Sequence, residues 1–288
     1  MTAPATAMRT TLLTPADVLA GYDAISALYP HIPPMTVWRG WEYAGYRRHR
    51  LAGPVLDVGC GDGQVFKLLW PELTGDVVGV DLDAGTVAAA RASGVYRDVH
   101  QTAASEMGRV LPAGAFAGAF ANCALEHMDD LPRVLANVAA ALRPGGEFLF
   151  SVVTDKWRQW GGLALLMELA GDPDRAEALR LQHDRYHHHV NGLSVAGWAD
   201  ALAAAGFEAV EHTPIVPEVT GRLVSFLDQL WHLPSAASPT GEVGGQLHPI
   251  LVGLPDFPAA FRLVVEGTMR MERDPATGGG AIFHARKR

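Results

Sequence analysis

Cysteine is scarce in this chain: Cys60 and Cys123 are the only two in 288 residues. Two thiols build neither a disulfide framework nor, by themselves, a zinc site, so a reducing cytoplasm is the expected compartment. Lysine is almost as rare, occurring at positions 67, 156 and 287. The 31 acidic residues outnumber the 23 basic ones, for a formal charge of -8. Such a balance carries no electrostatic footprint for DNA or RNA. The short basic run Arg47-Arg48-His49-Arg50 reads as a solvated helix end before a strand. Long apolar runs are missing as well. Leu163 to Ala170 is the most apolar stretch, and it falls short of the roughly 18 residues needed to span a bilayer. No charged segment followed by an apolar one opens the chain, so neither secretion nor stable membrane insertion is expected.

What is present is enough apolar material for a core, 49% of the residues. That fraction excludes disorder, and the length suits one large domain with an elaboration better than two independent domains. Residues 1–14 read as a tail. Thr14 and Pro15 supply an N-cap and first helical position for a helix to Tyr29; Pro30, Pro33 and Pro34 break the chain, and a second helix is expected over Thr36–Arg48. From Pro54 to Val153, short apolar runs alternate with helical patterns. Strands are predicted at 54–58, 76–81, 116–121 and 147–153, with helices at 64–70, 84–93 and 131–142. This alternation predicts a doubly wound α/β domain with a mostly parallel sheet. Further on, 160–181 is mostly helical, Ser194 caps a helix to Ala205, and strands fit 208–213 and 281–285. Residues 217–277 are Pro-rich and irregular, with helical stretches near 223–230 and 259–271. They interrupt the end of the sheet and read as an inserted lid.

The first predicted strand ends in Asp57-Val58-Gly59-Cys60-Gly61-Asp62-Gly63. Glycines at such a strand–helix turn let the backbone approach a ligand closely. The dinucleotide fingerprint Gly-x-Gly-x-x-Gly fails in both registers, since its third glycine would fall on Gln64 or Phe66. A phosphate loop would need Gly-Lys-Ser/Thr, which is absent. Asp81 stands 18 residues beyond Gly63, at the tip of the second strand, where one helix plus one strand would place a carboxylate beside the loop. A lone glycine loop is often an ordinary turn; a loop with an acidic tip is far more specific.

The pattern Asp57-x-Gly59-x-Gly61-x-Gly63 resembles the first motif of class I S-adenosylmethionine-dependent methyltransferases. Phe120 to His127 and Leu142 to Phe150 resemble that family's fourth-strand and fifth-strand segments. The likeness covers about residues 36–213 and the final strand. It implies a Rossmann-like sheet with N-terminal helices (1–50), a core (51–216 plus 278–288) and a helical lid insert (217–277). It also implies S-adenosylmethionine as cofactor, S-adenosylhomocysteine as product, and cofactor contacts from Arg39, Asp57, Gly59, Gly61, Asp81, Leu82, Ala104 and Asn122. Asp81 would accept both ribose hydroxyls. Arg39 either pairs with the methionine carboxylate or is a surface residue of an amphipathic helix. The chain departs from the family at Ala103, where members often carry an Asp for the adenine amino group, and at Ala117, where many have Asp.

For the chemistry, histidine is the natural base near neutral pH. His189 takes the position of a His-x-x-x-x-Ser segment that enters a helix beside the substrate pocket in the family, ending here at Ser194. His187 and His127 are the other candidates, and each is either catalytic or merely positional. No carboxylate completes a metal set near the fourth strand before Glu126, so no metal is expected. The apolar insert suits a sizeable apolar or aromatic small-molecule acceptor. The expected activity is methylation of a small molecule, on oxygen of a specialised metabolite such as an antibiotic, or of its sugar. A cyclisation or rearrangement with the cofactor bound only structurally is the alternative, and a protein or nucleic-acid methyltransferase the third reading. The sequence leaves a homodimer open.

Overall fold

The computed structural model describes residues 8–288. In chain order the elements are β1 (Arg9–Thr10), α1 (Pro15–Ser26), α2 (Pro33–Tyr46), β2 (Val55–Val58), α3 (Gln64–Leu69), β3 (Val77–Asp81), α4 (Ala84–Ala92), β4 (Asp98–Gln101) and β5 (Phe116–Asn122). There follow α5 (Leu131–Ala141), β6 (Leu142–Val153), α6 (Asp155–Gln159), α7 (Gly162–Leu169), α8 (Pro173–His187), α9 (Val195–Ala204), β7 (Phe207–Pro217), α10 (Glu218–Trp231), α11 (Gly244–Val252), α12 (Phe257–Met271) and β8 (Gly278–Lys287).

All the strands join one sheet in the order β1-β7-β8-β6-β5-β2-β3-β4. Neighbours run parallel except β8, which is antiparallel to both β6 and β7. This is the doubly wound, mostly parallel sheet that the alternating pattern predicts. Its central strands read as unbroken apolar runs because both faces are covered. On one face Leu56, Val58, Phe148 and Phe150 pack against Val134 and Val138 of α5 and Trp198 of α9. On the other, Val55, Phe120 and Leu149 meet Trp41 and Tyr46 of α2 and Phe66 of α3. The direction of winding reverses between β2 and β5, and ligands of such sheets lie outside the carboxyl ends of the strands at that crevice.

Several expectations need correction. Residues 9–10 are not a tail: they pair with Glu211 and His212 of β7, and Arg9 bonds Glu211 through its guanidinium. Residues 1–7 of the expected tail lie outside the described residues. Pro33 and Pro34 do not break the chain; they open α2, because a proline in the first turn removes only an N–H that has no helical partner. The edge strand β4 escapes a pattern search because only Val99 of its four residues is buried. Within residues 217–277 the two expected helical stretches fall in α10 and α12, and α11 adds a third helix in the part read as irregular. The buried face of α10 includes the polar Thr220, Ser225 and Gln229. Thr14 caps α1 as expected, in a reciprocal box with Asp17.

No helix among the described residues is long and apolar enough to cross a membrane.

Candidate active site

A cavity of about 600 Å³ opens at the carboxyl ends of β2, β3 and β5, at the crevice where the winding reverses. Its floor is the glycine loop. Gly59 sits at φ +70°, and a Cβ there would lie 2.7 Å from the Ala124 Cβ, so both backbone conformation and space require glycine. Gly61, at φ +56°, has nothing within 4 Å of where its Cβ would be, so this turn faces open cavity. The N–H groups of Gly59 (2.8 Å) and Cys60 (3.1 Å) donate to the Val80 carbonyl and pin the loop to β3.

Asp81 ends β3. Its Oδ2 accepts from the Gly61 N–H (3.1 Å) and its Oδ1 from the Asp83 N–H (3.1 Å). Each carboxylate oxygen can accept a second bond, so these backbone bonds orient the group while leaving capacity for two hydroxyls. Leu82, 69% exposed, and the Ala103–Ser105 backbone continue the wall. Asn137 Nδ2 donates to the carbonyls of Ala104 (3.1 Å) and Ser105 (2.8 Å), which fixes that segment where the usual acid is replaced by Ala103. The cradle, the acidic tip and the cavity size fit S-adenosylmethionine.

Asp57 acts from below the loop. It is buried, and Tyr96 Oη donates to its Oδ2 (2.8 Å) while also lying 3.1 Å from the Cys60 carbonyl. Burial pushes the Asp57 carboxyl up to about 7, against the lowering bond from Tyr96. The sign of the consequence is set by the protons bound. Below pH 7 the folded chain holds a proton that the unfolded chain releases above its ordinary value of 3.8, so this group favours folding in acid and loses that contribution as pH rises through 7. Asp57→Asn keeps the Tyr96 bond and removes the titration. The wild type should lose about 1 kcal/mol relative to this variant between pH 6 and pH 8, or about 2 °C in melting temperature for a chain of this size. Parallel thermal melts across that range check it, and identical slopes would refute it.

Arg39 reaches the cavity from α2 and donates through Nη1 to Glu42 Oε2 (2.6 Å). Glu42 is fully buried; its Oε1 accepts from Trp38 Nε1 (3.0 Å) and Ser151 Oγ (2.6 Å). Asn122, oriented so that donors meet acceptors, gives Nδ2 to Glu42 Oε2 (3.1 Å) and takes Arg39 Nη1 on Oδ1 (2.7 Å). Burial opposes the Arg39 charge, and the Glu42 carboxylate together with Cys123 and Tyr46 more than offsets it, so the guanidinium is held above its ordinary value. A guanidinium has more donors than these partners use, so Arg39 is held charged with donors to spare at the cavity wall.

A second cavity, of about 320 Å³, adjoins the first: Met35, Arg39, Cys123 and His127 line both. Its apolar walls are Trp38, Trp157, Val224 and Trp231. Its polar side is a column of imidazoles. His127 stacks on His189 (5.1 Å between ring centres, 24°), and His189 on His187 (5.1 Å, 14°). Asn191 sets this column in place: its Nδ2 donates to the carbonyls of Leu125 (2.8 Å) and Met128 (2.7 Å), and its N–H and that of Val190 donate to the Glu126 carbonyl. Burial lowers His127, with the His188 and His187 carbonyls partly offsetting it, and burial plus the neighbouring imidazoles drives His189 down to about 3. Both rings are therefore neutral at neutral pH. His187 Nε2 lies 2.7 Å from Asp228 Oδ2.

All eight expected cofactor residues line the first cavity; of the three expected histidines only His127 does, while all three line the second. Tyr96, Glu42, Asp228 and Asn191 escape the sequence reading. Asp228 and His232 stand four apart, as do His183 and His187, a spacing that puts each pair on one helix face and would have been the signal.

A methyltransferase-domain family model matches residues 41–212. The demethylmenaquinone methyltransferase of Symbiobacterium thermophilum is 28% identical over 140 residues, covering 46% of this chain and 54% of that one. The nocamycin O-methyltransferase of Saccharothrix syringae is 33% identical over 171 residues, covering 54% and 59%. The chain thus spans about half the length of the first curated relatives it matches. Among solved structures, the [4+2]-cyclase SpnF shares the fold, with a TM-score of 0.53 at 17% identity over 98% of this chain and 99% of that one.

Proposed function

This chain belongs to the class I S-adenosylmethionine-dependent methyltransferase family, and we propose that it methylates a hydroxyl oxygen of an apolar or aromatic small molecule seated in the second cavity. The observation that carries this reading is His127, which is the only histidine among the described residues that borders both cavities. When bound, S-adenosylmethionine would supply an electrophilic methyl carbon on a sulfonium sulfur, with the thioether S-adenosylhomocysteine as the leaving group when the acceptor oxygen attacks in line. Arg39 would pair with the methionine carboxylate, Asp81 with the ribose hydroxyls, and the Ala104 segment with the adenine edge. Trp38, Trp157 and Trp231 would clamp the acceptor's apolar body, which converts an encounter into an oriented approach. The neutral His127 ring would take the hydroxyl proton as the new C–O bond forms. His189 would hold His127 in its plane as a positioning residue. Residues 217–277 act in this reading as the lid, contributing Val224 and Trp231, and residues 1–50 as the cap that brings Arg39 and Trp38.

The likeness to an O-methyltransferase of nocamycin supports an oxygen acceptor and a specialised metabolite such as an antibiotic. The test combines calorimetry with S-adenosylmethionine and S-adenosylhomocysteine and transfer of a deuterated methyl to a panel of phenols, enols and hydroxylated polyketides, read by mass spectrometry. Micromolar binding and labelled product are expected. No binding at high micromolar concentration would sink the reading, and turnover without S-adenosylhomocysteine would shift it to a cyclisation.

A further inference from the structure

Two helices meet at the far end of the second cavity, each presenting a pair of residues four apart. On α8 the pair is His183 and His187; on α10 it is Asp228 with His232, the residue that caps the helix. His183 Nε2 lies 2.6 Å and His187 Nε2 2.7 Å from one atom, Asp228 Oδ2. The three ligand-capable atoms lie within 4.8 Å of one another. Tetrahedral zinc, with bonds of about 2.0–2.1 Å, needs separations of roughly 3.3 Å, so the two nitrogen–oxygen distances would open by about 0.6–0.7 Å around an ion. His183 is buried, whereas His187 and Asp228 border the acceptor cavity. His232 lies with Nε2 3.5 Å from Asp228 Oδ1 and Nδ1 3.3 Å from Glu242 Oε2, so it steadies the carboxylate from outside the trio.

We propose that His183, His187 and Asp228 bind a divalent transition-metal ion of the zinc type, with an open coordination position facing the acceptor cavity. Two imidazoles and a carboxylate with one position left open is the donor set of catalytic zinc sites, and two ring nitrogens suit zinc better than magnesium or calcium. The ion is an anchor and does not hold the methylated atom: His187 is two stacking steps of 5.1 Å from His127. An acceptor with an anionic oxygen at one end and a methylatable hydroxyl at the other fits this geometry, with its apolar body between the tryptophans. That half of the inference rests on the function proposed above; the metal site itself does not. Sequence reading missed the trio because Asp228 is 41 residues from His187.

The test begins with protein stripped by a chelator and titrated with zinc against a chromophoric competitor, and with cobalt(II), whose visible absorption reports tetrahedral coordination. One equivalent per chain is expected in the wild type. Asp228→Asn and His187→Ala should each weaken binding by about 100-fold; the second variant, at the cavity edge, guards against a folding defect in the first. Calorimetry with S-adenosylhomocysteine on the same samples should be unchanged, which separates failure of this site from failure of the methyltransferase reading. Less than one equivalent, or equal affinity in wild type and variants, overturns the site. Stoichiometric zinc whose removal leaves the KM of a turned-over acceptor unchanged overturns the anchoring role.

Discussion

Asp81→Ala is expected to raise the dissociation constant for S-adenosylmethionine by about 10²–10⁴-fold. The carboxylate would accept from two ribose hydroxyls, and hydrogen bonds to a charged group contribute about 1.5–3 kcal/mol each. The loss has a second source. Asp81 Oδ2 also holds the Gly61 N–H, so its removal frees the turn that faces the cavity. Asp81→Asn should fall between wild type and alanine, because one oxygen acceptor survives while the new amide N–H opposes either the Gly61 N–H or a hydroxyl donor. Calorimetry gives the constants, and the thermal shift at saturating cofactor should vanish in step for the alanine variant. An increase below ten-fold in Asp81→Ala, with the fold intact by circular dichroism, would remove Asp81 from the cofactor site.

The cofactor half of the site was legible because its parts are close in sequence or separated by a fixed unit. Strand, glycine loop and helix run continuously from Val55 to Leu69, and one helix plus one strand brings Asp81 back beside the loop. The parallel sheet then sets its position without further information. The support beneath it was not legible. Tyr96 meets Asp57 from a loop before β4, and Glu42 meets Ser151 across 109 residues. Those contacts are made by single polar side chains in otherwise ordinary apolar helices or loops, and nothing in local periodicity marks them. The acceptor half was less legible still. The histidine run at 187–189 stands out in sequence, yet what each ring does depends on elements far away. Asn191 docks the column on the loop after β5, and α10 supplies Asp228. The helix α10 was legible over 223–230, but the use of its buried polar residues was not: Gln229 Oε1 accepts from the Leu163 N–H (2.9 Å).

His127→Ala should lower kcat by about 10²–10³-fold while changing the S-adenosylmethionine dissociation constant by less than about threefold. A positioned base contributes roughly 10²–10⁴-fold, most for an acceptor whose proton is hard to remove. The ring borders the cofactor cavity, but Arg39, Asp81 and the glycine loop hold the cofactor without it. This split between kcat and binding distinguishes a base from a wall residue, whose removal would weaken binding of one ligand or both. His127→Gln keeps much of the shape and no base, so it should resemble alanine in kcat. Acceptor acidity supplies the sharper criterion. For a series of related phenols, the loss in His127→Ala should shrink as the hydroxyl becomes more acidic, since an acceptor already ionised needs no base. His189→Ala, which removes the stacked neighbour and leaves His127 in place, should cost less and show no such dependence. A uniform loss across the series in His127→Ala would instead make His127 a positioning residue and leave proton removal to water or another group.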